Sequence, residues 1–442
     1  MHYLILGMLL ISSLVPSINS SASGAILISS QYLIPIFLAM IFAAALLSSR
    51  TRIPHIIVLV IFGIGLSFLS FIGLDFVNVS GFRIDPRLII NFVIPPLIFE
   101  AMMKVNYKQF KTVRISALLL ATAGVVVSTF VAGFLLMYVA GLSFAVSFLF
   151  AALISPTDPA IVIEIFKKLR VPKGLSTLME FEASFNDATG LIIFSSILAV
   201  VLGVSSNNGS GDGIPNLIGE SEHFAIVFLG GAAVGLGIAI TTNKLHSLMN
   251  DPFSETALTI ASVFGSVVLA NSLGVSGLVA VAVAGLYFGN ITVKREAYMS
   301  LKVRTTVFNF WEIIAFLANS AAFLYLGVSM NVLSIGQNIG LIILAFGIIF
   351  LARVISTYPI LSIVSKFTRE KIPSTWRHIV VLGGMRGALS VALVASLPDE
   401  DISSNLKNLI ATLTFGVVLL SLIIQYIGLT KYVKKVFPPE VE

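Results

Sequence analysis

The sequence predicts an all-α polytopic membrane protein with about thirteen transmembrane helices, and three observations carry that expectation. First, 57% of the 442 residues are hydrophobic and only 11% are charged, against roughly 25% charged in a soluble domain. Second, the apolar stretches run for about 20 residues without the alternation of a barrel strand, the length a helix needs to cross a bilayer core. Third, basic residues gather in the loops of one side. The chain has no cysteine, which excludes disulfides, thiol catalysis, Cys-ligated zinc and iron–sulfur clusters. The net charge of +6 is read as orientation. No basic, aromatic-interleaved stretch points to nucleic acid as a partner.

In chain order the segments fall near 31–49, 54–74, 88–103, 115–138, 144–166, 174–204, 223–241, 255–273, 277–291, 307–330, 337–360, 377–397 and 407–429. Arg50 and Arg52 close the first, and Lys104, Lys108, Lys111 and Arg114 the third. Lys167, Lys168, Arg170 and Lys173 follow the fifth, and Lys294, Arg295, Lys302 and Arg304 the ninth. Lys366, Arg369, Lys371 and Arg377 follow the eleventh; Lys431, Lys434 and Lys435 follow the last. Every such cluster lies after an odd-numbered segment. Even-numbered loops carry Asp212, Glu220 and Glu222, or Asp399, Glu400 and Asp401. Positive charge inside then places the start of the first segment outside and the C-terminus in the cytoplasm of a multi-pass plasma-membrane protein.

The Asn-, Gly- and Ser-rich stretch from Ser205 to Glu222 is a loop. At the start, Leu4 to Val15 is a short apolar run followed by Ser21-Ala22-Ser23. Residues 1–23 therefore read as a cleaved signal peptide or, since only His2 stands where a basic n-region belongs, as an extra N-terminal helix. Residues 431–442 form a short cytoplasmic tail. Segments one to six and eight to thirteen are offset by an odd number, so corresponding helices run in opposite directions, the arrangement of an inverted-repeat transporter.

Six charges lie inside apolar segments: Arg353, Arg386, Glu100, Asp158, Glu182 and Asp187. Each costs roughly 2.5–3.5 kcal/mol on insertion scales, so each should face protein or water and have a partner. Pairing acids with arginines leaves two negative charges unmatched. Exchangeable cations are the natural missing partners.

The fifth segment contains Ser155-Pro156-Thr157-Asp158-Pro159. The two prolines withhold N–H donors and free the carbonyls of Ala152 and Ser155. A helix broken at this depth lines a cavity or is buried in protein. Carbonyls, a Thr hydroxyl and an Asp carboxylate are hard ligands suited to a dehydrated alkali cation; a proline kink with a capping Asp is the plainer reading. The sixth segment contains Glu182-Ala183-Ser184-Phe185-Asn186-Asp187. Glu182 and Asn186 share one face, Ser184 and Asp187 another. Asp187 lies about thirteen residues from the cytoplasmic end and Asp158 about fifteen from the outer end, so both sit near the bilayer midplane. A carboxylate there can be neutralised by a proton or by a cation, and the two exclude one another. In the twelfth segment, Gly383-Gly384-Met385-Arg386-Gly387 permits unwound backbone, with Arg386 placed to neutralise the negative ends of half-helices.

Together Pro156-Thr157-Asp158-Pro159, Glu182-x-x-x-Asn186-Asp187, Ala352-Arg353 and Gly383-Gly384-Met385-Arg386-Gly387 resemble the monovalent cation/proton antiporters. The Asn-Asp pair is similar to the electroneutral sodium/proton branch, the NhaP-type antiporters and animal sodium/proton exchangers; the electrogenic branch carries Asp-Asp there. The resemblance spans about residues 31–430 and implies two inverted six-helix repeats with helices five and twelve broken and crossing near the site. It also implies a homodimer, with a mobile core at about 115–204 and 337–429 and a dimerisation scaffold at about 31–103 and 223–330.

By the same resemblance, Asp187 is the ion- and proton-binding carboxylate, Asp158 its companion, Thr157 an oxygen ligand and Asn186 a positioning residue. Glu182 and Arg353 match a structural ion pair, and Glu100 an acid reaching the ion path. One departure bears on selectivity: many relatives have Ser where this chain has Ala183, leaving Ser184 or water to supply the missing oxygen.

The function expected is secondary antiport of Na+ (or Li+) for H+ by alternating access, one for one, with no cofactor beyond the transported ions. Voltage, worth about 2.3 kcal/mol per charge per 100 mV, would then not drive the cycle. Potassium/proton exchange on the same fold is the near alternative. An intramembrane aspartyl protease using Asp158 and Asp187 lacks that family's Tyr-Asp and Gly-x-Gly-Asp signatures. ATP-driven pumping lacks a phosphate-binding loop. His55, His246 and His378 are read as interfacial histidines, and Gly231-x-x-x-Gly235 as a close-packing motif, possible at a dimer seam.

Overall fold

The computed structural model describes residues 33–51, 53–71, 89–105, 107–169, 171–202, 217–248, 251–293, 300–330, 332–397 and 402–438. The two readings of residues 1–23 and most of the 205–222 loop fall on residues outside these ranges. The described chain is helical throughout.

The helices follow the apolar segments. α1 (Leu33–Thr51) and α2 (His55–Phe71) are separated by Ile53-Pro54. A π turn (Ile89–Val93) leads into α3 (Ile94–Lys104), and the short α4 (Tyr107–Phe110) precedes α5 (Arg114–Val139). Gly141, at φ 66°, turns the chain into α6 (Phe144–Ile154), whose first turn is capped by Ser143 accepting from the Val146 N–H at 3.4 Å. α7 (Ala160–Lys168) and α8 (Lys173–Val201) follow. Then come α9 (Leu217–His246), α10 (Pro252–Ser272), α11 (Gly277–Thr292) and α12 (Leu301–Val328). The chain continues through α13 (Val332–Gln337), α14 (Ile339–Phe367), α15 (Ser374–Leu382), α16 (Ala388–Ala395) and α17 (Ser404–Val436). Among the described residues, six helices are long and apolar enough to cross a membrane.

The fifth and twelfth segments are each split in two. α6 stops at Ile154 because Pro156 and Pro159 have no N–H to continue it, and α7 restarts at Ala160. α15 stops at Leu382 and α16 restarts at Ala388, across the glycine run. The two broken stretches cross: the Asp158 N–H donates to the Met385 carbonyl at 2.8 Å. Gly387 has to be glycine for a steric reason, since a Cβ there would collide with the Asp158 side chain.

α6 is apolar all round and is buried from Val146 to Ile154, as a helix without a polar face must be. It packs between α5, α8 and α17; α14 lies along α5 and α17. Elsewhere α12 runs along α2, while α11 packs on α3, α9 and α10. α8 meets both sets, touching α3 and α11 on the side away from α6. The close-packing glycines of α9 are used within the chain. A Cβ at Gly231 or Gly235 would strike the backbone of Ser276 or Ala280, so this motif seats α11 and is no dimer seam.

Candidate functional site

α8 carries the site because its helical period sorts its polar residues onto different faces. Glu180, Ala183, Ser184 and Asp187 line a cavity of about 310 Å3, while Glu182 and Asn186 point into protein and are fully buried. The opposite wall of the cavity is the α6–α7 break, with Thr157 and Asp158, and the start of α16. α3 contributes Ile94, Ile98, Glu100 and Lys104, and α12 contributes Glu312 and Asn319.

The break is held in shape by its own polar groups. Asp158 Oδ1 accepts from the Ala160 N–H at 2.8 Å, so the aspartate caps α7 and lines the cavity at once; the plainer and the functional readings of the motif are both realised. Asn186 Nδ2 donates to Thr157 Oγ1 at 2.7 Å, tying α8 to the break. Ser184 Oγ donates to its own helix at the Glu180 carbonyl, 2.9 Å away, and its lone pairs remain for the cavity. Among the described residues no side chain donates a hydrogen bond to Asp187, and its carboxylate is near enough to Asp158 for the two charges to repel.

The structure assigns the intramembrane charges differently from the sequence count. Glu182 pairs with Arg353 at 2.5 Å, with both side chains buried, and Arg353 also donates to the Val380 carbonyl in the last turn of α15 at 3.3 Å. Arg386 forms no ion pair with a carboxylate among the described residues. Its guanidinium donates to the carbonyls of Ser155 and Pro156 (3.2 Å to Pro156), at the C-terminal end of α6 where the helix dipole is negative. The Ser155 carbonyl, expected free for a cation, is therefore occupied. Glu100, counted among the acids in need of a partner, has one in Lys104 a turn along α3, which also reaches Glu312 on α12 at 3.3 Å. Asp158 and Asp187 line the same cavity from the α6–α7 break and from α8, near enough for their charges to act on one another.

Glu180 was not foreseen. It lines the same cavity two turns from Asp187 and accepts from Ser176 Oγ at 3.1 Å. The signal was available: positions 180, 184 and 187 recur at helical spacing and form one polar stripe. His246 also proves less ordinary than an interfacial histidine, being buried with Nδ1 2.9 Å from Glu255 Oε2.

With the crossing and its paired aspartates established, the comparisons are specific. Residues 3–435 match the family described as "Sodium/hydrogen exchanger, transmembrane". The chain belongs to that family. The exchanger is 33% identical to the low-affinity Na+/H+ antiporter NhaS1 of Synechocystis, over 86% of this chain and 68% of that one. It is likewise 33% identical to the Na+/H+ antiporter ApNhaP of Aphanothece halophytica, over 87% of this chain and 70% of that one. Its fold matches that of the sodium proton antiporter MjNhaP1 of Methanocaldococcus jannaschii, with a TM-score of 0.74 at 20% identity, over 92% of this chain and 98% of that one. The exchanger is thus a multi-pass membrane transporter of the NhaP type, not an enzyme, and its broken, crossing helices belong to the antiporter fold.

Proposed function

We propose that the exchanger moves Na+ (or Li+) in one direction and H+ in the other across the plasma membrane, with the two competing for Asp187 and Asp158. The observation that carries this is the pair of carboxylates on one cavity, Asp158 in the α6–α7 break and Asp187 near the middle of α8. Two carboxylates so placed repel, and either a proton or a cation relieves the repulsion. Thr157 and Ser184 add hydroxyl oxygens at the cavity wall, and Asn186 fixes Thr157 rather than the ion. Glu100 stands on the entry path, neutralised by Lys104.

Lys104 and Lys167 line the cavity at its mouth, and basic residues mark the cytoplasmic side. The site is therefore open to the cytoplasm, with the N-terminal end of the first segment outside and the C-terminus inside. The helices 115–204 and 337–429 act as the moving core, and 31–103 with 223–330 as the scaffold through which two copies pair. Because Asn186 is neutral beside Asp187, exchange is one for one.

Ala183 supports a second reading. It presents a methyl group to the cavity where a hydroxyl would complete the shell of a small ion, which favours the larger, less demanding K+ as the cation exchanged for H+. A pH dye sealed in proteoliposomes, challenged with Na+, Li+ and K+ in turn, distinguishes the two. Asp187→Asn abolishes the response on either reading. Cation uptake driven by membrane potential alone would overturn the one-for-one stoichiometry.

A further inference from the structure

The unwound stretch between α15 and α16 is buried, so its peptide groups need partners that the helices no longer supply. The peptide joining Met385 to Arg386 finds one on each side. Its carbonyl accepts from the Asp158 N–H at 2.8 Å, and its N–H donates to Ser421 Oγ at 3.2 Å. Met385, Arg386 and Ser421 are each at most 2% exposed, so water does not stand in for either bond. Ser421 lies on α17 and opens a π turn, Ser421–Gln425, within that helix, a local widening that recurs at functional sites. Its own hydroxyl proton goes to the Val418 carbonyl at 2.8 Å. With the proton so committed, the oxygen acts toward Arg386 as acceptor.

The two halves of the chain use the same device. α8 follows the first broken segment and α17 the second. Asn186 on α8 donates to Thr157 in the first break at 2.7 Å; Ser421 on α17 accepts from Arg386 in the second. The direction of the bond differs because the group to be held differs, a hydroxyl oxygen in one break and a backbone N–H in the other.

We propose that Ser421 is the positioning residue of the second broken helix, and that by fixing the Met385–Arg386 peptide it holds Asp158 in its cation-binding position. The proposal rests on the exchange function given above. A peptide is one rigid plane, so a donor at its carbonyl and an acceptor at its N–H together fix its rotation. Without the Ser421 hydroxyl the plane turns, and the Asp158 N–H loses the carbonyl that holds it. The same residue's carboxylate caps α7 through Oδ1 and lines the cavity, so its placement follows the backbone. The rotation also draws the Arg386 guanidinium away from the Ser155 and Pro156 carbonyls. Both changes loosen the wall that receives the cation.

Ser421→Ala removes the acceptor and Ser421→Thr keeps it. Proteoliposomes with a sealed pH dye are challenged with whichever of Na+ and K+ the parent exchanges. Ser421→Ala should raise the half-saturating cation concentration about tenfold, equivalent to about 1.4 kcal/mol and within the range for one lost buried hydrogen bond. The maximal rate per folded molecule should change little, and Ser421→Thr should restore the parent value. A serine that merely packs would lower the maximal rate and leave the half-saturating concentration where it was. That result, or an alanine variant identical to the parent, overturns the assignment. Deuterium uptake by the stretch from Gly383 to Ser390 is a readout independent of transport. It should be faster in Ser421→Ala than in the parent and normal in Ser421→Thr; unchanged uptake in the alanine variant also overturns the assignment. Should Ser421→Ala not fold, Ser421→Cys, whose sulfur is a weak acceptor, replaces it in both measurements. A parent that exchanges no cation for protons removes the proposed function instead, and uptake then still decides whether Ser421 fixes the peptide.

Discussion

Removing the Glu182 carboxylate tests the energetic centre of the helix crossing. Glu182 and Arg353 are 2.5 Å apart with side chains 0% and 4% exposed. At an effective dielectric of about 20, opposite charges about 4 Å apart between centres attract by about 4 kcal/mol. Glu182→Gln discards that attraction and leaves the guanidinium buried with the Val380 carbonyl as its remaining partner. The cost of stranding one member of a buried pair is about 3–5 kcal/mol. Replacing both, as Glu182→Met with Arg353→Met, removes the stranded charge and should return the protein to within about 2 kcal/mol of the parent, the residue being the donor lost by Val380. The assay is unfolding of the purified protein in detergent for Glu182→Met, Arg353→Met and the double variant, read as a double-mutant cycle, with Glu182→Gln as the near-isosteric control. Single losses that simply add in the double variant would show that the pair contributes no coupling energy, and the argument from its burial would be wrong.

Three other outcomes follow from the same geometry. Gly387→Ala places a methyl group on the Asp158 side chain; at about 1–3 kcal/mol of strain the protein should still run as a single species on size exclusion while exchange is lost, and near-normal exchange would refute the contact. Glu180→Gln keeps the shape of the cavity wall and removes a charge from the approach to Asp187. Transport assays should show the half-saturating cation concentration on the cytoplasmic side rising by up to about fivefold, the range of a partly screened charge, at unchanged maximal rate. Because a proton and a cation cannot share the carboxylates, acid fills the site with protons and weakens cation binding. On the acid limb the apparent cation affinity, followed by calorimetry, should fall about tenfold per pH unit and level off in alkali; a flat profile would end the competition model.

How much of the site was legible depended on the range of the interaction. The α6–α7 break was readable because proline acts on its own backbone, and the α15–α16 break because a glycine run weakens a helix locally. Asp187 and Asp158 were singled out by depth, which the bounding loop charges set, and the structure brings both to one cavity. Glu182 with Arg353 was drawn from family resemblance, and the structure brings the two together. Arg386 was read from the glycine run as neutralising the negative end of a half-helix, and its guanidinium does bond the carbonyls that end α6; which carbonyls they are could not be told from residue types, since every residue has one. Glu100 was misjudged because Lys104 was counted with the interfacial charges, although it stands one turn away and reaches back. Glu180 was overlooked because attention fell on the acids deepest in the segment rather than on the stripe they continue.

The sequence by itself determined that the chain lives in a membrane, roughly which stretches are helical, where two of those stretches break, and which carboxylates lie inside apolar segments. These follow from local quantities: hydropathy over a span, the missing N–H of proline, the period of a helix. Only the tertiary structure decided which charges are neutralised within the protein and which face open space, because partners such as Arg386 and Ser155, or Asp158 and Met385, lie more than two hundred residues apart in sequence. No local preference encodes such a meeting; it results from the packing of apolar faces that places one broken helix across another.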